Sequence, residues 1–161
     1  MNTYLLLKLI HVLAVIIFVG NITTGLFWMR QANKTRNYSI ISFTMRGIII
    51  SDKWFTIPGV VIITVAGFSA AIHGGLPLLR TGWIFWSIVL FSLSGIIFSV
   101  KLAPLQKKIL NIALNKASKE FNEDVYHSHL RQWESWGLLA LITPLAALVM
   151  MVLKIPAQSG F

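Results

Sequence analysis

The 161-residue chain contains no cysteine, and only five of its residues are aspartate or glutamate. The absence of thiols excludes disulfides, thiolate metal sites and nucleophilic cysteine chemistry. Charged residues of both signs make up 12% of the chain, whereas a soluble domain usually contains about 25%. The composition therefore argues against a water-soluble fold.

Signatures of common enzyme classes are also missing. The sequence has no Gly-rich phosphate-binding loop and no His-x-x-x-His metal pair, and its long apolar blocks contain no pair of carboxylates. Hydrolytic chemistry within a membrane is therefore not expected. Whether the protein is an enzyme of another kind stays open.

Long apolar blocks fill most of the chain, in which 56% of residues are hydrophobic. Each block reaches, or nearly reaches, the ~20 residues that cross a ~30 Å hydrocarbon core. Within lipid, the backbone polar groups of each block must pair inside that block, which requires a helix. The sequence therefore predicts an all-α polytopic membrane protein, a single four-helix transmembrane domain over residues 1–161. Its spans are residues 4–28, 54–73, 83–105 and 136–153.

Basic residues are unevenly distributed, within a net charge of +9. Alternating spans place the connections 29–53 and 106–135 on one side, where they hold ten Lys and Arg residues against three on the other side, Lys8, Arg80 and Lys154. The positive-inside rule then predicts that both connections are cytoplasmic and both termini are outside, in a bacterial inner membrane. Topology and attraction to anionic headgroups account for the basic excess. The expected partners are the lipid bilayer and a homo-oligomer or membrane complex. Nucleic acid is not expected.

Residues at the ends of the spans fit this arrangement. Pro58 is expected in the first turn of the second span, where its missing N–H would be unpaired anyway. Tryptophan is typical of the membrane interfaces, where its amphipathic ring lies at headgroup level. All the tryptophans of the chain lie near predicted span ends: Trp28, Trp54, Trp83, Trp86, Trp133 and Trp136.

Pairs of small residues four positions apart predict where the helices touch. Gly67 and Ala71 form one such pair in the second span, and Gly95 and Ser99 form another in the third. Small side chains allow helix backbones to approach closely in lipid, where no hydrophobic force drives helices together. We therefore expect these four residues to face neighbouring helices.

His11 is the one titratable ring deep within a predicted span. A neutral imidazole there must form a hydrogen bond, bind a metal or haem iron, or relay protons. A histidine hydrogen-bonded to a neighbouring helix is the plainer alternative. For the second axial position of a macrocycle, on the opposite face, three alternatives stay open: His73, which is ~9 Å shallower, a water molecule, or no ligand. The apolar neighbours of His11 form a wall suited to a flat ligand: Leu7, Val12, Ala14, Val15 and Phe18.

Asn21 lies about 15 Å deeper than His11, and it predicts a second, polar site within the membrane. Lys101 either extends its ammonium group to the interface or pairs with Asp52 or Glu134, because an unpaired charge at that depth costs a few kcal/mol. The residues that can join Asn21 near the cytoplasmic boundary are Thr24, Asp52, Thr56, Ser99, Lys101 and Glu134.

Four segments carry a resemblance to a known family. They are YLLLKLIHVLAVIIFVGN, SDKWFTIPGVV, LFSLSGIIFSVKLAPLQKK and RQWESWGLLALITPLAALVMMVLK. Together they resemble a bacterial family of predicted integral membrane proteins, known as domain of unknown function twenty-two sixty-nine, over nearly the whole chain. The resemblance implies four spans and an inner-membrane location, and it brings no established activity.

The first helix, KLIHVLAVIIFVG, is also distantly similar to the haem-binding membrane protoporphyrinogen oxidases (the HemJ-like family) and to CopD-type copper-resistance domains. In the HemJ-like family, a histidine at the place of His11 is linked to haem. That family also uses a lysine near the start of the third span, where this chain has Arg80 and Trp83 instead, so the resemblance implies haem binding rather than porphyrinogen oxidation.

Two functions of different classes follow from these observations. In the first, the protein binds b-type haem or a related redox ligand through His11, with His73 nearby. In the second, it is a non-enzymatic permease or an accessory or structural membrane protein, with a polar intramembrane site that includes Asn21, Asp52, Lys101 and Glu134.

Overall fold

A computed structural model of the protein describes residues 3–116 and 121–157. Two short π-helical segments interrupt the α-helices. The first π segment, Asp52–Thr56, joins α2 to α3, and the second, Phe98–Leu102, joins α4 to α5. The α-helices are α1 Thr3–Lys34, α2 Tyr38–Ser51, α3 Ile57–His73, α4 Gly82–Ile97, α5 Ala103–Leu114 and α6 Glu123–Leu153.

Four continuous helical stretches are long and apolar enough to cross a membrane. They have 31 to 36 residues each: Thr3–Lys34, Tyr38–His73, Gly82–Leu114 and Glu123–Leu153. The predicted all-α, four-span membrane fold is therefore confirmed.

The helices extend well beyond the predicted spans. Most of the connections 29–53 and 106–135 is helical: only residues 35–37 separate α1 from α2, and α6 begins at Glu123. The side chain of Asn37 accepts hydrogen bonds from backbone N–H groups in the first turn of α2, and that of Asn122 does the same for α6. Such N-caps favour helix initiation at those points. We call the end of the bundle where α1 and α5 end, and where α2 and α6 begin, the basic end. The opposite end is the terminal end.

Each π segment is followed by a proline at the same distance from its first residue. Pro58 lies six residues after Asp52, and Pro104 lies six residues after Phe98. Because proline has no N–H to bond the carbonyl four residues earlier, the wider π turn lets the helix pass through it. Pro58 lies in the first turn of α3, as expected from the sequence, and the continuous helical stretch that contains it begins earlier, at Tyr38.

The helices pack in three close pairs, α1 with α3, α4 with α6, and α2 with α5. Two serines join α4 to α6: Ser87 donates to the carbonyl of Ala147 at 3.1 Å, and Ser94 to that of Ala140 at 2.7 Å. Midway along both helices, an edge-to-face contact between Phe18 and Phe91 joins α1 to α4, with ring centroids 5.5 Å apart. The larger hydrophobic core lies toward the basic end, around Met29, Met45, Ile109, Tyr126 and Trp133.

The two predicted small-residue contacts have different outcomes. Gly67 lies directly against His11 of α1, and Ala71 is buried. A Cβ atom at Gly95 would meet nothing within 4 Å, and the exposed Ser99 hydroxyl donates to the carbonyl of Gly95 in its own helix. The prediction for Gly95 and Ser99 is therefore wrong, because α4 faces α6 through Ser87 and Ser94 instead.

One tryptophan departs from the predicted interfacial belt. Trp133 is 3% exposed and lies inside the larger core, whereas Trp28 and Trp54 are 60% and 69% exposed. Trp133 therefore contributes to packing at the basic end and does not anchor the bundle in the headgroups.

Candidate functional site

The most enclosed charged side chain of the described residues is Asp52, which is 7% exposed. It is the first residue of the first π segment and lies where three elements meet. Asn21 approaches from α1, Thr56 lies one turn further along the π segment, and Gln106 approaches from α5. Thr56 and Gln106 are 2% and 5% exposed. We call these four residues the Asp52 cluster.

The Asp52 carboxylate accepts three hydrogen bonds. Its Oδ1 accepts from Asn21 Nδ2 at 3.0 Å and from the Thr56 hydroxyl at 2.7 Å. Its Oδ2 accepts from Gln106 Nε2 at 2.7 Å. Asn21 Nδ2 also donates to Thr56 Oγ1 at 2.9 Å. Asn21, Asp52 and Thr56 thus form a closed triangle, and Gln106 ties it to α5.

All three donors to Asp52 are neutral. The ion pairs found among residues 3–116 and 121–157 are Arg30–Glu134, at 3.9 Å, and the helical pair His127–Glu123, at 3.7 Å. A carboxylate has about four lone-pair positions, and the three donors occupy two on Oδ1 and one on Oδ2. One position on Oδ2 is therefore left for a proton or another donor.

The π segments help to place this cluster. A π turn changes the direction of the side chains that follow it and often occurs at functional sites. Asp52 begins the first π segment, and Gln106 lies four residues after the end of the second, at Leu102. Both helix irregularities therefore adjoin the same group of side chains.

Sequence reasoning named Asn21, Asp52 and Thr56 together, and it missed Gln106. Gln106 is the first residue of the predicted cytoplasmic connection 106–135 and stands just before the charged pair Lys107 and Lys108, so it was not expected to contact an intramembrane group. The available signal was helical phase, because Gln106 shares a buried face with Leu102, Leu105 and Ile109.

The other residues predicted near Asn21 lie apart from the Asp52 cluster. The exposed Lys101 places its ammonium 5.6 Å from the centroid of Trp136. Glu134 pairs with Arg30 rather than with Lys101. The Thr24 hydroxyl bonds to carbonyls of its own helix, as does that of Ser99.

His11 lies between α1 and α3 and is half-buried. Its Nδ1 lies 2.9 Å from the carbonyl oxygen of Ile63, so in the neutral ring Nδ1–H donates and Nε2 keeps its lone pair. Part of the predicted apolar wall is used for packing, since Ala14 and Phe18 are buried with Ile63. Val12 is 40% exposed.

The remaining histidines bond locally. His73 is exposed, and its Nδ1 lies 2.9 Å from the Ser69 carbonyl of its own helix. His129 bonds the Val125 carbonyl in the same way. Among residues 3–116 and 121–157, no three side chains of His, Cys, Asp or Glu come together as metal ligands.

Comparisons with known proteins identify the family. A search of curated proteins and a search of solved structures each gave no match, so the distant similarity to the HemJ-like and CopD-type proteins gains no support from them. A family model described as "Predicted integral membrane protein (DUF2269)" matches residues 5–155. This match covers nearly all of the four-helix bundle, and the chain therefore belongs to the DUF2269 family of predicted integral membrane proteins.

Proposed function

We propose that the protein is a non-enzymatic inner-membrane protein of the permease or accessory class, and that its polar site binds a proton reversibly at Asp52. The observation that carries the proposal is a buried carboxylate whose three hydrogen-bond donors, Asn21, Thr56 and Gln106, are all neutral. Ionisable groups inside membrane bundles commonly mark ion pathways and proton relays.

A proton suits this arrangement for two reasons. An ionised Asp52 would place a negative charge inside the bundle, and no cationic side chain of residues 3–116 and 121–157 is bonded to it. Such a charge is costly. A proton on the remaining position of Oδ2 would neutralise that charge. It would do so without breaking the bonds from Asn21, Thr56 and Gln106, since all three use other lone pairs.

The depth of Asp52 also suits exchange with water. Asp52 precedes His73, at the terminal end of α3, by 21 residues, which corresponds to roughly 30 Å of helix. This length matches the ~30 Å hydrocarbon core. Asp52 therefore lies near the membrane boundary that is closer to the basic end, and a proton from that side has a short distance to travel.

A purely structural role is the competing explanation for the Asp52 cluster. In that case Asp52 stays ionised and serves only as an acceptor that ties α1, the first π segment and α5 together. The two explanations differ in whether a protonated carboxyl group exists under conditions in which the protein is folded. A reagent that reacts only with protonated carboxyl groups distinguishes the two explanations.

Carbodiimide labelling tests the proposal. Dicyclohexylcarbodiimide enters lipid and reacts with protonated carboxyl groups. In membranes that contain the full-length protein, we expect mass spectrometry to locate the adduct at Asp52, and raising the pH should reduce the labelling. Asp52→Asn should remove the adduct, and Glu134→Gln, which changes the other partly enclosed carboxylate, should retain it. Labelling of only Glu123, Asp124 or Glu134 would contradict the proposal.

Haem binding through His11 is a second candidate, and one observation favours it. Histidines that bind metals usually donate one ring N–H to a carbonyl or carboxylate, which fixes the ring and directs the other nitrogen to the metal. Because the Nδ1–H of His11 donates to the Ile63 carbonyl, the lone pair of Nε2 remains available to bind a metal. His11 would hold the iron, and a bound b-type haem would supply electron transfer.

The visible spectrum tests this second candidate. Protein expressed with ample haem should show a Soret band that His11→Ala abolishes or shifts. His127→Ala should leave the band unchanged, because His127 lies at the basic end beside Glu123. A purified wild-type protein without any Soret band would remove the haem hypothesis and leave the proposal for Asp52 intact.

A further inference from the structure

A cavity of about 520 Å³ opens at the basic end of the bundle, away from the Asp52 cluster. It lies where α1 ends and where α2 and α6 begin. Its volume falls within the roughly 300–1,000 Å³ that is typical of small-molecule sites. The lining residues are Asn33, Lys34, Arg36, Tyr38, Ile41, Glu123 and His127.

Cationic groups predominate around this cavity. Lys34 and Arg36 line it, and the ammonium of Lys116 lies 4.0 Å from the ring centroid of Tyr38. Glu123 is the one carboxylate among the lining residues that the structure describes, and it lies 3.7 Å from His127. Lys34, Arg36 and Lys116 together favour an anionic ligand, because Lys and Arg form strong charge-assisted hydrogen bonds to phosphate oxygens.

Beside the cations, Tyr38 forms an ordered aromatic wall of the cavity, and two aromatic rings outside the lining hold it in place. Tyr38 is 8% exposed, and its ring lies against Tyr126 and Phe121, with centroids 5.2 and 5.0 Å away. The Tyr126 hydroxyl donates to Asn33 Oδ1 at 3.0 Å, so the Asn33 amide group retains donors for a ligand. The wall is thus fixed by packing and by a hydrogen bond, while the cations lie at the rim.

We propose that this basic-end cavity binds a phosphate-bearing anion. Lys34 and Arg36 contact the phosphate oxygens, with Lys116 adding positive charge, and the aromatic wall packs against an adjoining flat or apolar group. A free phosphorylated small molecule and a lipid headgroup share this chemistry. The position of the cavity favours the free molecule. Tyr38 lies 14 residues before Asp52, which is about 21 Å of helix, so the cavity lies well outside the membrane boundary at which we place Asp52.

The test uses two matched double variants of the full-length protein. Lys34→Gln with Arg36→Gln removes two charges from the cavity. Arg80→Gln with Lys154→Gln removes the same two kinds of charge from the terminal end, where both residues are exposed. The backbone is matched as well, since Arg36 and Lys154 both have a φ of 54°. Any difference between the variants therefore reports the cavity and not the total charge.

Calorimetric titration with pyrophosphate, on protein in phosphatidylcholine nanodiscs, measures binding of a free anion. We expect the cavity variant to bind about tenfold more weakly or worse, since lost hydrogen bonds to charged groups have effects of that order. The terminal-end variant should bind like the wild type. In a second arm, the melting temperature is compared between nanodiscs with and without phosphatidylglycerol.

Each outcome of this experiment decides the proposal. Pyrophosphate binding that only the cavity variant loses supports a free phosphorylated ligand. No pyrophosphate binding, together with a phosphatidylglycerol effect that only the cavity variant loses, supports the headgroup as the phosphate source. If neither probe distinguishes the two double variants, the cavity does not recognise phosphate and the proposal is overturned.

Discussion

Replacing Gly67 with leucine should lower the melting temperature of the protein in detergent, whereas the same replacement at Gly95 should leave it nearly unchanged. A Cβ at Gly67 would lie 2.9 Å from both Cε1 and Nδ1 of His11. The ring cannot easily yield, because its Nδ1 is bonded to the Ile63 carbonyl. Overpacking of this kind typically costs about 1–3 kcal/mol. At Gly95 the added atom would meet nothing within 4 Å.

A double variant shows whether His11 is the cause. Removing the ring with His11→Ala makes room beside Gly67, so Gly67→Leu should cost less stability in that background than in the wild type. Such coupling is expected only for residues in contact. Equal melting temperatures for the Gly67 and Gly95 variants, or the same loss with and without the ring of His11, would contradict the observed packing of α1 on α3.

The four-span fold could be predicted because apolar length alone determines it. Blocks of about 20 apolar residues in lipid have few alternatives to a helix. The helical spacing of Ile109, Leu110, Ile112 and Ala113 predicts that the third span continues as an amphipathic helix, but apolar length alone does not predict how far the helices extend or that α2 packs on α5. α2 and α5 continue the spans toward the basic end as amphipathic helices packed on each other, and a search for apolar blocks stops where charged residues begin.

The faces on which helices touch were only partly predictable. Small side chains occur on both sides of α4, with Ser87 and Ser94 seven residues apart on one side and Gly95 on the other, and the sequence does not say which side meets α6. Packing selected Ser87 and Ser94, which bond to carbonyls of α6, and left Gly95 in open space. Gly67 was predicted from the same spacing, with Ala71, and it does lie against a neighbouring helix, at His11 of α1.

The members of the Asp52 cluster were named from the sequence except for Gln106. Asn21, Asp52 and Thr56 are rare polar residues near the ends of apolar blocks, so they stood out. Their arrangement depends on the first π segment. Pro58 was the one sequence feature that hinted at this segment, and no other pattern predicted it. Gln106 reaches Asp52 only because α5 continues as a helix after Pro104 and the second π segment.

Acidification should produce an infrared band of a protonated carboxyl group that belongs to Asp52. The expected effect is all-or-none, because Asp52→Asn removes the responsible group. Asp52 is the one carboxylate bonded by Asn21, Thr56 and Gln106, and these bonds keep its environment distinct from that of Glu134 and of the exposed Glu123 and Asp124. Glu134→Gln is the matched control, since it also replaces a carboxylate by an amide.

The most direct measurement is therefore an infrared pH titration of wild-type protein, Asp52→Asn and Glu134→Gln. It is confined to the pH range in which circular dichroism shows an unchanged helical fold. Reversible proton binding predicts a carboxyl band that appears on acidification in the wild type and in Glu134→Gln, disappears when the pH is raised, and is missing in Asp52→Asn. A protonated-carboxyl band with the same intensity and pH dependence in the wild type and in Asp52→Asn throughout that range would show that Asp52 stays ionised and only joins the helices, which would contradict the proposed function.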